Sequence, residues 1–106
     1  MSAVIVVATV SPAPGQEEAV REAVLAAVPK VHEEPGCGKY ALHEANGDST
    51  DLLFIERWES RDALKTHSKA PALVELGGLL KDKLAKPLDV RTFTAIPAGT
   101  PEQGAI

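Results

Sequence analysis

The chain has 106 residues, 44% of them hydrophobic and 25% charged, the make-up of one soluble globular domain with no room for a second. Its formal charge of -4 comes from interleaved acidic and basic residues without a lysine or arginine run, which predicts neither a nucleic-acid nor a membrane partner. Cys37 is alone, so no internal disulfide can form. The start MSAVIVVATVSPAPG lacks the basic head and long apolar core of a signal peptide, and no apolar run approaches the roughly 20 residues of a membrane span, so a cytoplasmic protein is expected.

Val4–Val10 (VIVVATV) is β-branched and apolar on both alternating faces, the pattern of a central strand covered on two sides. Pro12, Pro14 and Gly15 stop it. From Gln16 to about Glu33 the spacing of Val20, Val24, Ala27 and Val31 predicts a helix, with Glu17 and Glu18 where the helix dipole favours anions. Pro29 removes a backbone donor inside it and predicts a kink. Glu34-Pro35-Gly36 ends the helix, and Cys37–Glu44 (CGKYALHE) predicts a second strand. Asn46-Gly47 suits a tight turn. Asp51–Trp58 then predicts a third strand, antiparallel to the second, with Leu52, Phe54, Glu56 and Trp58 on one face and Leu53, Ile55 and Arg57 on the other.

Ser60 is suited to cap a short helix running to about His67, with Ala63, Leu64 and His67 facing inward. Pro71 opens another helix, to about Leu84. Leu73, Leu76, Leu80 and Leu84 form its stripe, and Lys81, Lys83 and Lys86 gather at its C-terminal end, where cations are favoured. After Pro87, Asp89–Ile96 (DVRTFTAI) alternates as a last strand. Residues 1–96 thus read as one domain and residues 97–106 as a Pro/Gly-rich tail. The order of elements predicts an α+β fold, ferredoxin-like βαββαβ, with a four-stranded antiparallel sheet and helices on one face. The other face is too apolar to stay open on a monomer, which predicts a homodimer of two sheets packed face to face. The tail's prolines bar it from a sheet interior, so it is expected to pack on the partner subunit.

Chemistry concentrates in Leu52–His67 (LLFIERWESRDALKTH). A histidine exchanges protons near neutral pH, so His67 is the candidate base or hydrogen-bond donor. Trp58 can stack on an aromatic ring and donate its indole N–H. Tyr40 and His43 share a strand at an odd separation, so at most one of them lines a given pocket. Glu56 and Arg57 point oppositely, and an ion pair with Arg91 or a lysine is expected for them. His32, His43 and His67 share no ligand spacing, and with a single cysteine no metal site is predicted. No glycine-rich strand-to-helix loop marks a nucleotide site. Gly77-Gly78 costs a helix about 1 kcal/mol per glycine relative to alanine, so close packing or a ligand near the backbone is expected there.

The runs EEPGCGKYALHE and LLFIERWESRDALKTHSKAP, followed by the closing strand, resemble the antibiotic biosynthesis monooxygenase family and its quinol monooxygenase branch. The resemblance covers nearly the whole chain. It implies a ferredoxin-like subunit paired into a dimeric α+β barrel, and oxygenation by O2 of a small aromatic substrate: a phenol, quinol or anthrone. No metal, flavin or other cofactor is implied, because a deprotonated phenolate can itself give O2 an electron. His67 and Trp58 are the candidate catalytic residues, and Tyr40, His43, Phe54 and Leu64 the candidate substrate-binding ones. Anthrone-oxidising members match at Trp58 and His43 but have Asn, Tyr and Arg in place of Phe54, Leu64 and Gly77. Haem-degrading enzymes of the same fold would need Asn, Trp and an iron-ligating His at Ala8, His67 and Gly77, and none is present. The alternative to a cofactor-independent monooxygenase is a non-catalytic dimeric module that binds a small aromatic ligand.

Overall fold

Residues 4–10 and 52–58 alternate strictly between buried and partly exposed, as pleated strands do when helices cover one of their faces. The computed structural model describes residues 3–106, ordered as β1 (Val4–Val10), α1 (Glu17–His32), β2 (Cys37–Glu44), β3 (Leu52–Trp58), α2 (Arg61–Ser68), α3 (Pro71–Leu80) and β4 (Asp89–Thr94). The strands form one sheet in the order β2-β3-β1-β4 with every neighbouring pair antiparallel. This is the expected ferredoxin-like α+β arrangement, its last crossover made of two helices.

The covered face holds Val4, Val6, Ala8 and Val10 of β1, Leu52, Phe54, Glu56 and Trp58 of β3, and Tyr40 of β2. Val20, Val24, Ala27 and Val31 of α1 and Leu76 and Leu80 of α3 close over it. The opposite face, with Ile5, Val7, Leu53 and Ile55 partly exposed, has no helix, so β1 is covered on one side within the chain rather than two. Helix α1 continues past Pro29 to His32. The carbonyl that Pro29 cannot serve belongs to Leu25, on the exposed side, where water can take it.

Two boundaries differ from expectation. Helix α3 stops at Leu80 rather than Leu84: Lys81 leaves the helical region at ψ 130 and Asp82 turns with φ 64. The segment beyond pairs instead with the residues after β1, Ala13 N–H donating to the Lys83 carbonyl and Ala85 N–H to the Ser11 carbonyl, each at 2.8 Å. Leu84 reaches the core from that bridge, so Lys83 and Lys86 lie beyond the helix and only Lys81 stands at its end, as the C-cap. Strand β4 ends at Thr94, two residues before Ile96, and all its residues are exposed, since no helix lies over this edge. Around Gly77 and Gly78 an added Cβ would meet nothing within 4 Å, so neither close packing nor a neighbouring group explains this pair.

Gly36 is different. Its φ is +80, and a Cβ there would lie 2.5 Å from the Ala63 Cβ. Only glycine lets the end of α1 pass this close to α2, and this approach brings Glu34 to the site. At the end of the tail, Arg57 Nη1 donates to the Ile106 carbonyl at 3.0 Å, from the sheet face that no helix covers.

Candidate functional site

Ser60 caps α2, its hydroxyl accepting from Ala63 N–H at 3.0 Å. The cap sets the phase of the helix, and two turns on it delivers His67 inward, only 6% exposed. Nδ1 of His67 lies 2.7 Å from Glu34 Oε1. A carboxylate oxygen can only accept, so Nδ1 carries the proton and Nε2 the lone pair. Nε2 is 3.9 Å from Glu56 Oε1, beyond hydrogen-bond length. The free nitrogen therefore faces open space beside a carboxyl group.

The two strand partners hold this geometry. Trp58, fully buried, stacks on the imidazole with ring centroids 4.3 Å apart, and its indole N–H donates to Glu56 Oε1 at 2.8 Å. Tyr40, cross-strand from Glu56, meets His67 edge-on at 5.6 Å and stacks on Phe54 at 4.3 Å. A cavity of ≈ 170 Å³ opens between this cluster and helices α2 and α3. Its polar lining is Tyr40, Glu56, His67 and Ser68, and the rest is aliphatic apart from Phe54, with the exposed Leu88 and Val90 toward solvent.

Burial governs the electrostatics. It pushes Glu56 up to about 7, the Trp58 N–H opposing and the Glu34 charge adding to the rise. It raises the Tyr40 hydroxyl well above the ordinary phenol range, reinforced by Glu56 and Glu34. It lowers His67 against the pull of the hydrogen bond and charge of Glu34, so the imidazole is neutral at neutral pH. Nε2 can then accept a proton, and a neutral Glu56 carboxyl can donate one.

Of the six residues expected in the site, His67, Tyr40, Phe54 and Leu64 line the cavity. Trp58 stands behind it and acts on His67 and Glu56, so its N–H is not free for a ligand. His43 is exposed and pairs with Leu53 on the helix-free face, away from the cavity. The residues that sequence reasoning missed are Glu56 and Glu34. Glu56 makes no ion pair with Arg91 or a lysine; its signal was an acid at a core position of β3, between Phe54 and Trp58. Glu34 had no local signal. Among the described residues no group of three or more His, Cys, Asp or Glu is arranged to hold a metal ion, and no helix is long and apolar enough to cross a membrane.

The family profile described as antibiotic biosynthesis monooxygenase matches residues 3–76, a span that includes every residue of this cluster. A Mycobacterium tuberculosis protein named "Putative monooxygenase Rv0793" is 32% identical over 95 residues, covering 90% of this chain and 93% of that protein. Its solved structure superposes with a TM-score of 0.85, covering 93% of this chain and 100% of that one. PA3566 of Pseudomonas aeruginosa follows with a TM-score of 0.84 at 25% identity, over 91% and 96% of the two chains. A Synechocystis protein named as uncharacterized is 35% identical over 60 residues, and that match spans 41% of its length. The matching family profile, the relative 32% identical over nearly the whole chain and the shared fold together show that the chain belongs to the antibiotic biosynthesis monooxygenase family.

Proposed function

We propose that this chain is a cofactor-independent monooxygenase that oxidises a quinol-like or polycyclic phenolic substrate with O2. The observation behind this reading is the fixed tautomer of His67, which turns Nε2 toward an apolar cavity beside Glu56. His67 takes the phenolic proton, and the electron-rich anion passes one electron to O2. The resulting radical pair joins at a ring carbon as a peroxide. Protonation of its outer oxygen, with loss of the ring hydrogen, releases water and leaves a quinone. One oxygen atom enters the product and the other becomes water, the substrate supplying both electrons, so no outside reductant is needed. Glu34 stabilises the imidazolium, and Glu56 holds a proton for the peroxide. The apolar walls exclude water and admit O2.

We further propose a homodimer, since Ile5, Val7, Leu53 and Ile55 present an apolar sheet face without a helix. The test of the activity is oxygen uptake with a panel of quinols and anthrones, metal-free and flavin-free, and with ¹⁸O2. One labelled atom per product and one per water is the expected result. Product formed equally without O2 overturns the reading. Apolar Phe54 and Leu64 favour a second reading, a ligand-binding module: it predicts thermal protection by the same compounds with no oxygen uptake.

A further inference from the structure

We propose that the cavity between the sheet and helices α2 and α3 selects uncharged phenols of a single ring, hydroquinones included, and excludes fused-ring and anionic ones. This narrows the oxygenase reading and rests on it for the chemistry, but not for the recognition.

Size is the first ground. The cavity measures ≈ 170 Å³. A dry aliphatic cavity of about 150 Å³ holds one benzene ring, whereas sites for larger ligands run from about 300 Å³ upward. A naphthalene or anthracene skeleton would have to displace Leu76 and Leu80, each 4% exposed and packed in the core, or leave its further rings in water between Leu88 and Val90.

Charge is the second. No lysine or arginine lines the cavity, and its polar end holds the Glu56 carboxyl, with Glu34 behind His67. Tyr40 is a phenol already present in this wall, and its proton is held more tightly than usual for the same reasons, burial and then the two glutamates. A ligand bearing a carboxylate or phosphate would lose its water beside Glu34, and would take up the proton of Glu56 or face its charge, without a cation to offset either. A neutral hydroxyl set to the cavity side of His67 Nε2 and Glu56 Oε1, which are 3.9 Å apart, is within reach of both residues, donating to the imidazole and accepting from the protonated carboxyl. Its proton is then already aligned for transfer as an electron leaves the ring.

Anaerobic calorimetry on the intact protein at pH 6.5 tests recognition without turnover, using methylhydroquinone, 1,4-naphthalenediol, anthrone and 2,5-dihydroxybenzoate. Methylhydroquinone should bind at least about tenfold more tightly than each of the others, against the usual gain of affinity with apolar area. Leu64 is only partly buried, and Leu64→Ala should raise 1,4-naphthalenediol affinity about tenfold by widening the wall. Equal or tighter binding of a fused-ring or anionic probe by the parent protein overturns the inference, as does binding of none of the four. Oxygen uptake measured alongside separates the two claims. The expected ranking without uptake sinks the oxygenase reading and leaves the ligand class standing, while uptake with the ranking reversed sinks this inference alone.

Discussion

The imidazole of His67 lies on the indole of Trp58, planes 28° from parallel, while the same indole donates its N–H to Glu56. One buried side chain thus sets the plane of the candidate base and the orientation of the carboxyl group it faces. Trp58 is 0% exposed and does not line the cavity, so it reaches a ligand only through these two residues. On the proposed function it is a positioning residue, and the pair it orients is where the chemistry is to be tested.

His67→Ala should lower quinol turnover by about 10²–10⁴-fold, the usual contribution of a positioned acid or base. His67→Asn keeps a donor for Glu34 but cannot accept a proton, so both variants should fall together. Retention of activity in Asn alone would mean that hydrogen bonding suffices. Burial lowers His67, so the rate should climb with pH through a value below about 6.5. It should decline again as Glu56 ionises near 7, and the measurement is kcat/KM against pH.

Glu56→Gln should stabilise the fold in alkaline buffer. Glu56 binds its proton more tightly in the folded chain, at about 7 against an ordinary 4.5, so its contribution is complete below 4.5 and lost as pH rises to about 7. The amide can still accept the Trp58 N–H and does not ionise. A gain on the order of 2–3 kcal/mol at pH 8, vanishing near pH 4, is the expected result of denaturant unfolding at the two pH values. His67 runs the other way. Its lowered proton affinity costs stability as pH falls below about 6.5, and that loss should persist in the variant.

Gly77→Ala and Gly78→Ala should each stabilise by about 1 kcal/mol, because both sit exposed in α3 with open space where a methyl group would go. Gly36→Ala should do the opposite, since its backbone is left-handed and its Cβ would strike Ala63. Thermal unfolding of the three variants checks the contrast.

Sedimentation should find a dimer at micromolar concentration, and Ile55→Lys should convert it to a folded monomer by charging the helix-free face. Deleting residues 97–106 should weaken dimerisation and leave the subunit folded, because the described anchor of the tail end is an exposed hydrogen bond from Arg57. A parent chain that sediments as a stable monomer overturns the dimer, and a truncated chain that no longer folds overturns the role given to the tail.

What the sequence determined by itself was what neighbouring residues decide among themselves. The β-branched apolar run Val4–Val10 and the alternation in Leu52–Trp58 made strands, Ser60 capped α2, and odd spacing put Tyr40 and His43 on opposite sides. These follow from pleat, helix phase and capping, which act over a few residues. The tertiary structure decided which sheet face the helices cover, and so that Tyr40 enters the cavity and His43 does not. It ended α3 at Leu80 because the chain after β1 offered Lys83 and Ala85 other backbone partners. It also joined Glu34 to His67 across 33 residues of chain. The alternation of β3 already put Glu56 beside Phe54 and Trp58, whose indole N–H it accepts, but only the helices packed over the sheet took it out of water and brought a neighbouring imidazole from α2. Proton affinity depends on burial and on charges brought close from distant segments, and a linear pattern contains neither until the chain has folded.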